Sequence, residues 1–312
     1  MNLSATAIEL INGSTRDSTK KKYNSIVGKW QRYCEINHHE LQATTTTFAN
    51  FLAQEFNRDL KHSYLRSYTA ALAGYTSAVD NTILQKLLKG IHNKRPSTPR
   101  YSAIWDVNIV LAYIGAMTTN TFRDMTLKMA ALLMLLSGNR VNMLSHLKVT
   151  NMFINENECT FIFDEVLKTT VPGESTKPMV FRAYPEDGSL CPVKNIWRYL
   201  EARNEKSGND QLFVITMKPF TPAKSDTIAN WLKKVLDLAG INTGKYSAHS
   251  YRSSSTSAAA FGGVSIGTIL RSASWKNVEV FKKHYLRELE EVYNLEGEEN
   301  FGVELLNQYH SV

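Results

Sequence analysis

The chain has 312 residues, enough for two domains at roughly 100–200 residues each. Apolar residues make up 43% and charged residues 21%, which excludes wholesale disorder; no apolar run reaches the ~18 residues of a membrane span, the nearest being Met129 to Leu136. Net charge is +7 with a pI near 9.1, and three scattered cysteines, Cys34, Cys159 and Cys191, argue against a disulfide framework or a cysteine zinc site.

No basic segment followed by an apolar run opens the chain, so a soluble intracellular protein is expected. Thr15 to Thr19 offers capping residues for a helix over Lys20–Cys34, in which Tyr23, Ile26, Val27, Trp30 and Tyr33 mark one buried face. Lys20, Lys21, Lys22, Lys29 and Arg32 are left for its other faces. Thr44 to Thr47 caps a second helix, Phe48–Phe56; a third is expected over Ser63–Val79 and a fourth over Ile83–Ile91. The stretch from Asn93 to Arg100, with two prolines and small polar residues, reads as a linker carrying Lys94 and Arg95. Beyond it, helices are predicted at Asp106–Met117 and Thr126–Ser137, then strands at Thr160–Phe163 and Met179–Arg182 around a turn at Val171–Glu174. Helical patterns return at Val193–Glu205, Ser225–Ala239, Ser253–Phe261, Ile266–Arg271 and Val278–Glu291. The expected fold is mainly α with a small antiparallel sheet (α+β): helical domain 1–92, linker 93–105, second domain 106–290 and tail 291–312.

Charge is unevenly spread along this plan. Residues 1–100 carry 14 basic and 7 acidic side chains, residues 101–285 carry 21 and 15, and residues 286–312 carry one and seven. Two basic blocks followed by an acidic tail suit a polyanion binder, although ordinary surface charge gives the same total.

No phosphate-binding glycine loop and no metalloprotease histidine pair is present. His38-His39-Glu40 is the one dense set of metal-ligand types, and its polar setting reads as solvated surface, so no metal is expected. A different set stands out in the second domain. An apolar helix ends at Arg140, Lys168 precedes the strand-connecting turn, His249-Ser-Tyr-Arg252 opens a helix dense in small residues, and Tyr285 follows Trp275 by ten positions. Taken singly each has an ordinary structural reading: Arg140 a helix-end cation, Lys168 a turn lysine, His249 a helix-start residue, Trp275 core filler, and Tyr285 one of 14 tyrosines.

Taken in order, Arg140, Lys168, His249-x-x-Arg252, Trp275 and Tyr285 resemble the catalytic set of the tyrosine recombinase (lambda-integrase-like) family. The Trp-to-Tyr spacing and the Ser-Tyr-Arg-Ser-Ser-Ser context are most similar to its Crypton-type eukaryotic transposon branch. The resemblance implies DNA cleavage and rejoining through a covalent 3′-phosphotyrosine on Tyr285, for transposon integration or excision. Arg140 and Arg252 would neutralise the pentavalent transition state, Lys168 would protonate the leaving 5′-oxygen, and His249 would donate to the phosphate or exchange a proton with Tyr285. Trp275 stands where many relatives have histidine and offers an indole N–H that cannot shuttle a proton. Met143 occupies a position where many relatives carry an acidic residue.

The resemblance also implies that residues 1–92 form a core-binding domain and that the two domains clamp double-stranded DNA as a C shape. Lys20, Lys21, Lys22, Lys29, Arg32, Lys61, Arg66, Lys94 and Arg95 are the candidate phosphate contacts. No cofactor is implied, nor any membrane partner. Self-association into a synaptic tetramer is, with Phe301, Leu305, Leu306 and Tyr309 of the tail packing on a neighbouring protomer or on their own domain. If the source is eukaryotic the expected location is the nucleus. The alternatives are a catalytically retired DNA-binding protein and a type IB topoisomerase-like enzyme.

Overall fold

A computed structural model of the chain describes residues 4–96, 101–165, 167, 170, 173, 176–275 and 277–287. The chain divides into two compact units, Met1–Pro99 and Arg100–Val312.

The first unit is helical: α1 (Ala5–Gly13), α2 (Asp17–Ile36), α3 (Thr45–Asn57), α4 (His62–Ala71), a 3₁₀ turn at Ala73–Tyr75, and α5 (Asn81–Lys94). Ile26, Trp30 and Cys34 repeat at helical spacing on α2 and are buried against Phe48, Phe51 and Leu52 of α3 and Leu65 and Tyr68 of α4. Trp30 meets Phe48 and Phe51 edge-on, with centroids 5.9 and 5.1 Å away, and its indole N–H donates to the Leu41 carbonyl. The Thr44 hydroxyl and Thr47 form a capping box at the start of α3. The third helix is shorter than its pattern predicts. It stops at Ala71 rather than Val79, because a tighter turn follows at Ala73–Tyr75 and Asp80 then caps a new helix by accepting from the Thr82 and Ile83 amides. α1 was not expected from the sequence; its apolar Ile8, Leu10 and Ile11 remain exposed.

The second unit is built around α7 (Phe122–Ser137), which buries residues on every side, from Thr126 through Leu135. α6 (Val107–Ala116), α9 (Pro192–Asn204), α10 (Ser225–Leu238) and α11 (Ser250–Phe261) surround it. A three-stranded antiparallel sheet of β1 (Met152–Ile154), β2 (Glu158–Phe161) and β3 (Met179–Arg182), in that order, packs against α7 and α9. Its register pairs Cys159 with Phe181 and Phe161 with Met179, and these four side chains face the core.

Several boundaries differ from the sequence expectation: the helix predicted over Val278–Glu291 ends at His284, and the one predicted from Ser253 starts at Ser250. The strand predicted at Thr160–Phe163 runs from Glu158 to Phe161, and the extra strand β1 pairs with it, Phe153 opposite Thr160. The helix predicted from Thr126 starts a turn earlier, at Phe122, because Thr121 and Asp124 close a capping box. The end of α7 is set by Gly138. Its φ of +57° is left-handed, and a Cβ there would stand 2.9 Å from the Thr256 side chain. One-turn α8 (Val141–Leu144), α12 (Ile266–Ser272) and α13 (Val278–His284) complete the unit.

Candidate active site

Four of the six residues singled out in the second unit come together around the N-terminal half of α11. His249 stands at the N-cap position of that helix, Arg252 lies in its first turn, Trp275 follows α12, and Tyr285 follows the last residue of α13. The Tyr285 hydroxyl is 3.5 Å from Nε2 of His249. The Arg252 guanidinium lies 4.4 Å above the Trp275 ring and 5.4 Å from the centre of the Tyr285 ring. Trp275 packs between Tyr285 and the buried Phe281, with centroids 4.4 and 4.6 Å away.

Arg252 is 0% exposed. Its Nη1 donates to the Gly138 carbonyl over 2.8 Å, while Nε and Nη2, and Nε1 of Trp275, have no hydrogen-bond partner among the described residues. A buried cation without a counter-ion carries a desolvation cost that a bound anion relieves. Burial, and then repulsion from Arg140, pull the Arg252 pKa down; Tyr285 opposes them, and the guanidinium stays charged at neutral pH. The same forces act on His249. Desolvation, then Arg252, then Arg140 hold it below the usual histidine value, although the residue as a whole is exposed. Arg140, the N-cap residue of α8, is thus a fifth member through its field on both groups. Lys168 lies outside the described residues, as do the turn residues Val171 and Glu174 and the tail from 288 onward.

The local sequence explains why these side chains meet. Gly138 turns the chain out of α7 so that its carbonyl faces Arg252. Next to it, the Asn139 side-chain amide donates to the Ser272 carbonyl, tying the end of α7 to the end of α12. The Trp105 indole donates to the Ser250 hydroxyl, fixing the start of α11. Ser257, one turn beyond Arg252, is buried; its hydroxyl donates to the Tyr285 carbonyl over 2.7 Å and accepts from the Arg287 amide over 3.0 Å. Sequence reading passed over Ser257 because it sits in a run of small residues, and over Asn139 because it is one polar residue beside Arg140. Met143 is buried in the hydrophobic core, so the position where many relatives are acidic supplies packing here.

In the first unit the candidate cations fall into two groups. Lys29 and Arg58 both pair with the buried Glu55, which also accepts from the Tyr68 hydroxyl. Lys20 pairs with Asp17 and Arg95 with Asp59, while Lys22 donates to Ser67 over the Tyr64 ring. Lys21, Arg32, Lys61, Arg66 and Lys94 are exposed and have no ion pair among the described residues. The described residues include no group of three or more potential metal ligands and no helix long and apolar enough to cross a membrane.

Among proteins of curated function no sequence matches the chain. Solved structures share its fold. The XerH site-specific recombinase in a post-cleavage complex with difH is 14% identical, with a TM-score of 0.63 over 85% of this chain and 75% of that one. The Tn1549 transposon integrase bound to transposon right end DNA is 12% identical, with a TM-score of 0.60 over 94% and 97%. A lambda integrase dimer bound to a COC′ core site is 14% identical, with a TM-score of 0.54 over 90% and 93%. The phage integrase family model matches residues 110–291, more than half of the sequence and every residue of the cluster around Arg252. The chain belongs to the phage integrase family of tyrosine recombinases.

Proposed function

We propose that the protein is a site-specific DNA recombinase that cleaves and rejoins DNA through a phosphotyrosine on Tyr285. The observation that carries this reading is the buried Arg252 guanidinium, whose two unpartnered nitrogens lie beside the unpartnered Trp275 indole N–H and the Tyr285 ring. Converging donors with no acceptor of their own suit a phosphate, and they are most favourable when its charge grows in the transition state. In that step the Tyr285 oxygen attacks phosphorus, the 5′-oxygen leaves, and the tyrosine proton passes toward His249, whose lowered pKa keeps it a neutral acceptor. The protonation of the leaving oxygen falls to Lys168, the role that the family resemblance gives it. Arg140 adds charge to the same phosphate. The phosphotyrosine keeps the energy of the broken ester, so a second 5′-hydroxyl can displace it.

Nucleophile and phosphate donors lie in one unit of one chain, which favours cleavage in cis. The reading extends to transposon integration or excision, supported by the Crypton-like spacing of Trp275 and Tyr285. It also extends to DNA contacts from the first unit, assembly as a tetramer on paired sites with help from the tail, and nuclear action in a eukaryotic host.

The test is a nicked suicide duplex carrying the recombination site. Wild type is expected to trap a covalent adduct and Tyr285→Phe to trap none while binding equally well. An adduct that survives Tyr285→Phe overturns the assignment of the nucleophile. Binding by wild type without any adduct points to a retired binder, and an adduct without strand exchange to topoisomerase-like action.

A further inference from the structure

We infer that Ser257 is a positioning residue for the nucleophile; the inference rests on Tyr285 being that nucleophile. α13 ends at His284, so Tyr285 is no longer held inside a helix. Its amide and the next one both fall back on the Phe281 carbonyl, over 2.9 and 3.0 Å. That leaves the Tyr285 carbonyl and the Arg287 amide, which follow directly on the Tyr285 side chain, to find partners elsewhere. Both are taken by one hydroxyl: Ser257 Oγ donates to the first over 2.7 Å and accepts from the second over 3.0 Å.

Ser257 belongs to α11, the helix that carries His249 at its cap and Arg252 in its first turn. The residues that would receive the proton and hold the phosphate, and the residue that would place the attacking oxygen, therefore move as one rigid element. Among the described residues this hydroxyl makes both side-chain hydrogen bonds that join α11 to the backbone of residues 285–287. Without it the Phe281 side chain, buried against Trp275, still anchors α13, but the backbone after Tyr285 is free to shift against Arg252. Misplacement by about 1 Å costs on the order of a hundredfold in rate in a positioned reaction.

The experiment is single-turnover cleavage of the nicked duplex by the full chain, with DNA affinity measured in parallel. Ser257→Ala removes the hydroxyl with little change in volume, and Ser257→Thr restores it. Ser254→Ala is the control, since Ser254 is buried on the same helix and its hydroxyl has no partner among the described residues. Ser257→Ala is expected to cleave roughly tenfold to a hundredfold more slowly with unchanged affinity. Ser257→Thr is expected to recover part of that loss, and Ser254→Ala to cleave at the wild-type rate. Wild-type cleavage by Ser257→Ala overturns the inference, and so does an equal loss in Ser254→Ala, which would mark general damage to α11. Absence of any wild-type adduct would instead defeat the reading of the reaction on which the inference rests.

Discussion

Arg252 shows how much chemistry one side chain concentrates. Of its three nitrogens, Nη1 donates to the Gly138 carbonyl, while Nε and Nη2 are buried beside Trp275 and Tyr285 without a partner among the described residues. A lysine there would keep a charge but lose the planar fork, so Arg252→Lys is expected to slow single-turnover cleavage by about 100- to 1000-fold, the usual cost of one preorganised donor. His249 offers a test that does not depend on activity. Desolvation and the two arginines disfavour its protonated form, so its pKa lies below the ordinary value. Arg140→Gln removes one of the two cations, which makes protonation easier and must raise that pKa. An NMR titration of the His249 ring should show its midpoint moving to higher pH; a midpoint that stays or falls would contradict the placement of Arg140 beside it. His249, Arg252, Trp275 and Tyr285 were legible in the sequence because they are chemically distinctive types in a recognisable order. Ser257 and Asn139 were not, because a hydroxyl or an amide becomes a clamp only through what folds against it.

Among the elements, the junction between α7 and α11 bears most directly on the site. Gly138 has two independent reasons to be glycine: a left-handed backbone and a Thr256 methyl 2.9 Å from where a Cβ would stand. Gly138→Ala is expected to destabilise the protein by roughly 1–3 kcal/mol and to lower cleavage as well, since its carbonyl holds Arg252. Gly90, inside α5 with open space around it, makes the opposite case: Gly90→Ala is expected to stabilise by about 0.5–1 kcal/mol. Urea denaturation of the two variants checks both signs. The long helices were readable from apolar spacing, as Ile26, Trp30 and Cys34 on α2 illustrate. The early stop of α4 was not readable, because Tyr64, Leu65, Tyr68, Leu72 and Tyr75 keep an apolar rhythm straight through the turn at Ala73–Tyr75. β1 was missed because three residues are too few for alternation to register, and only pairing with β2 makes them a strand.

For the molecule as a whole, the number of basic residues overstates the cations that are free of partners. Within the first unit, Lys29 and Arg58 share the single charge of Glu55, and Asp17 and Asp59 pair with Lys20 and Arg95. Of the candidate phosphate contacts, Lys21, Arg32, Lys61, Arg66 and Lys94 are exposed and without an ion pair among the described residues. Lys61→Gln and Arg66→Gln are each expected to reduce the slope of log affinity against log salt by about 0.9. Lys29→Gln should change that slope less and lower the melting temperature, because it takes one of the partners from the buried Glu55 carboxylate. Fluorescence anisotropy across a salt series and thermal unfolding separate the two effects. Equal slopes for wild type, Lys61→Gln and Arg66→Gln would remove that face from the DNA contact.

By itself the sequence determined the helical character of both units, the family resemblance, and which residue types could carry the chemistry, since spacing and side-chain identity are local properties of the chain. What only the tertiary structure decided is which of those groups are dry, unpaired and adjacent. Residues 138, 252, 275 and 285 belong to different elements, and only the packing of α7, α11, α12 and α13 brings them together, buries Arg252 and leaves Arg252 and Trp275 with nitrogens unpartnered among the described residues. Solvation and pairing are properties of a packed assembly, so a list of residues cannot state them.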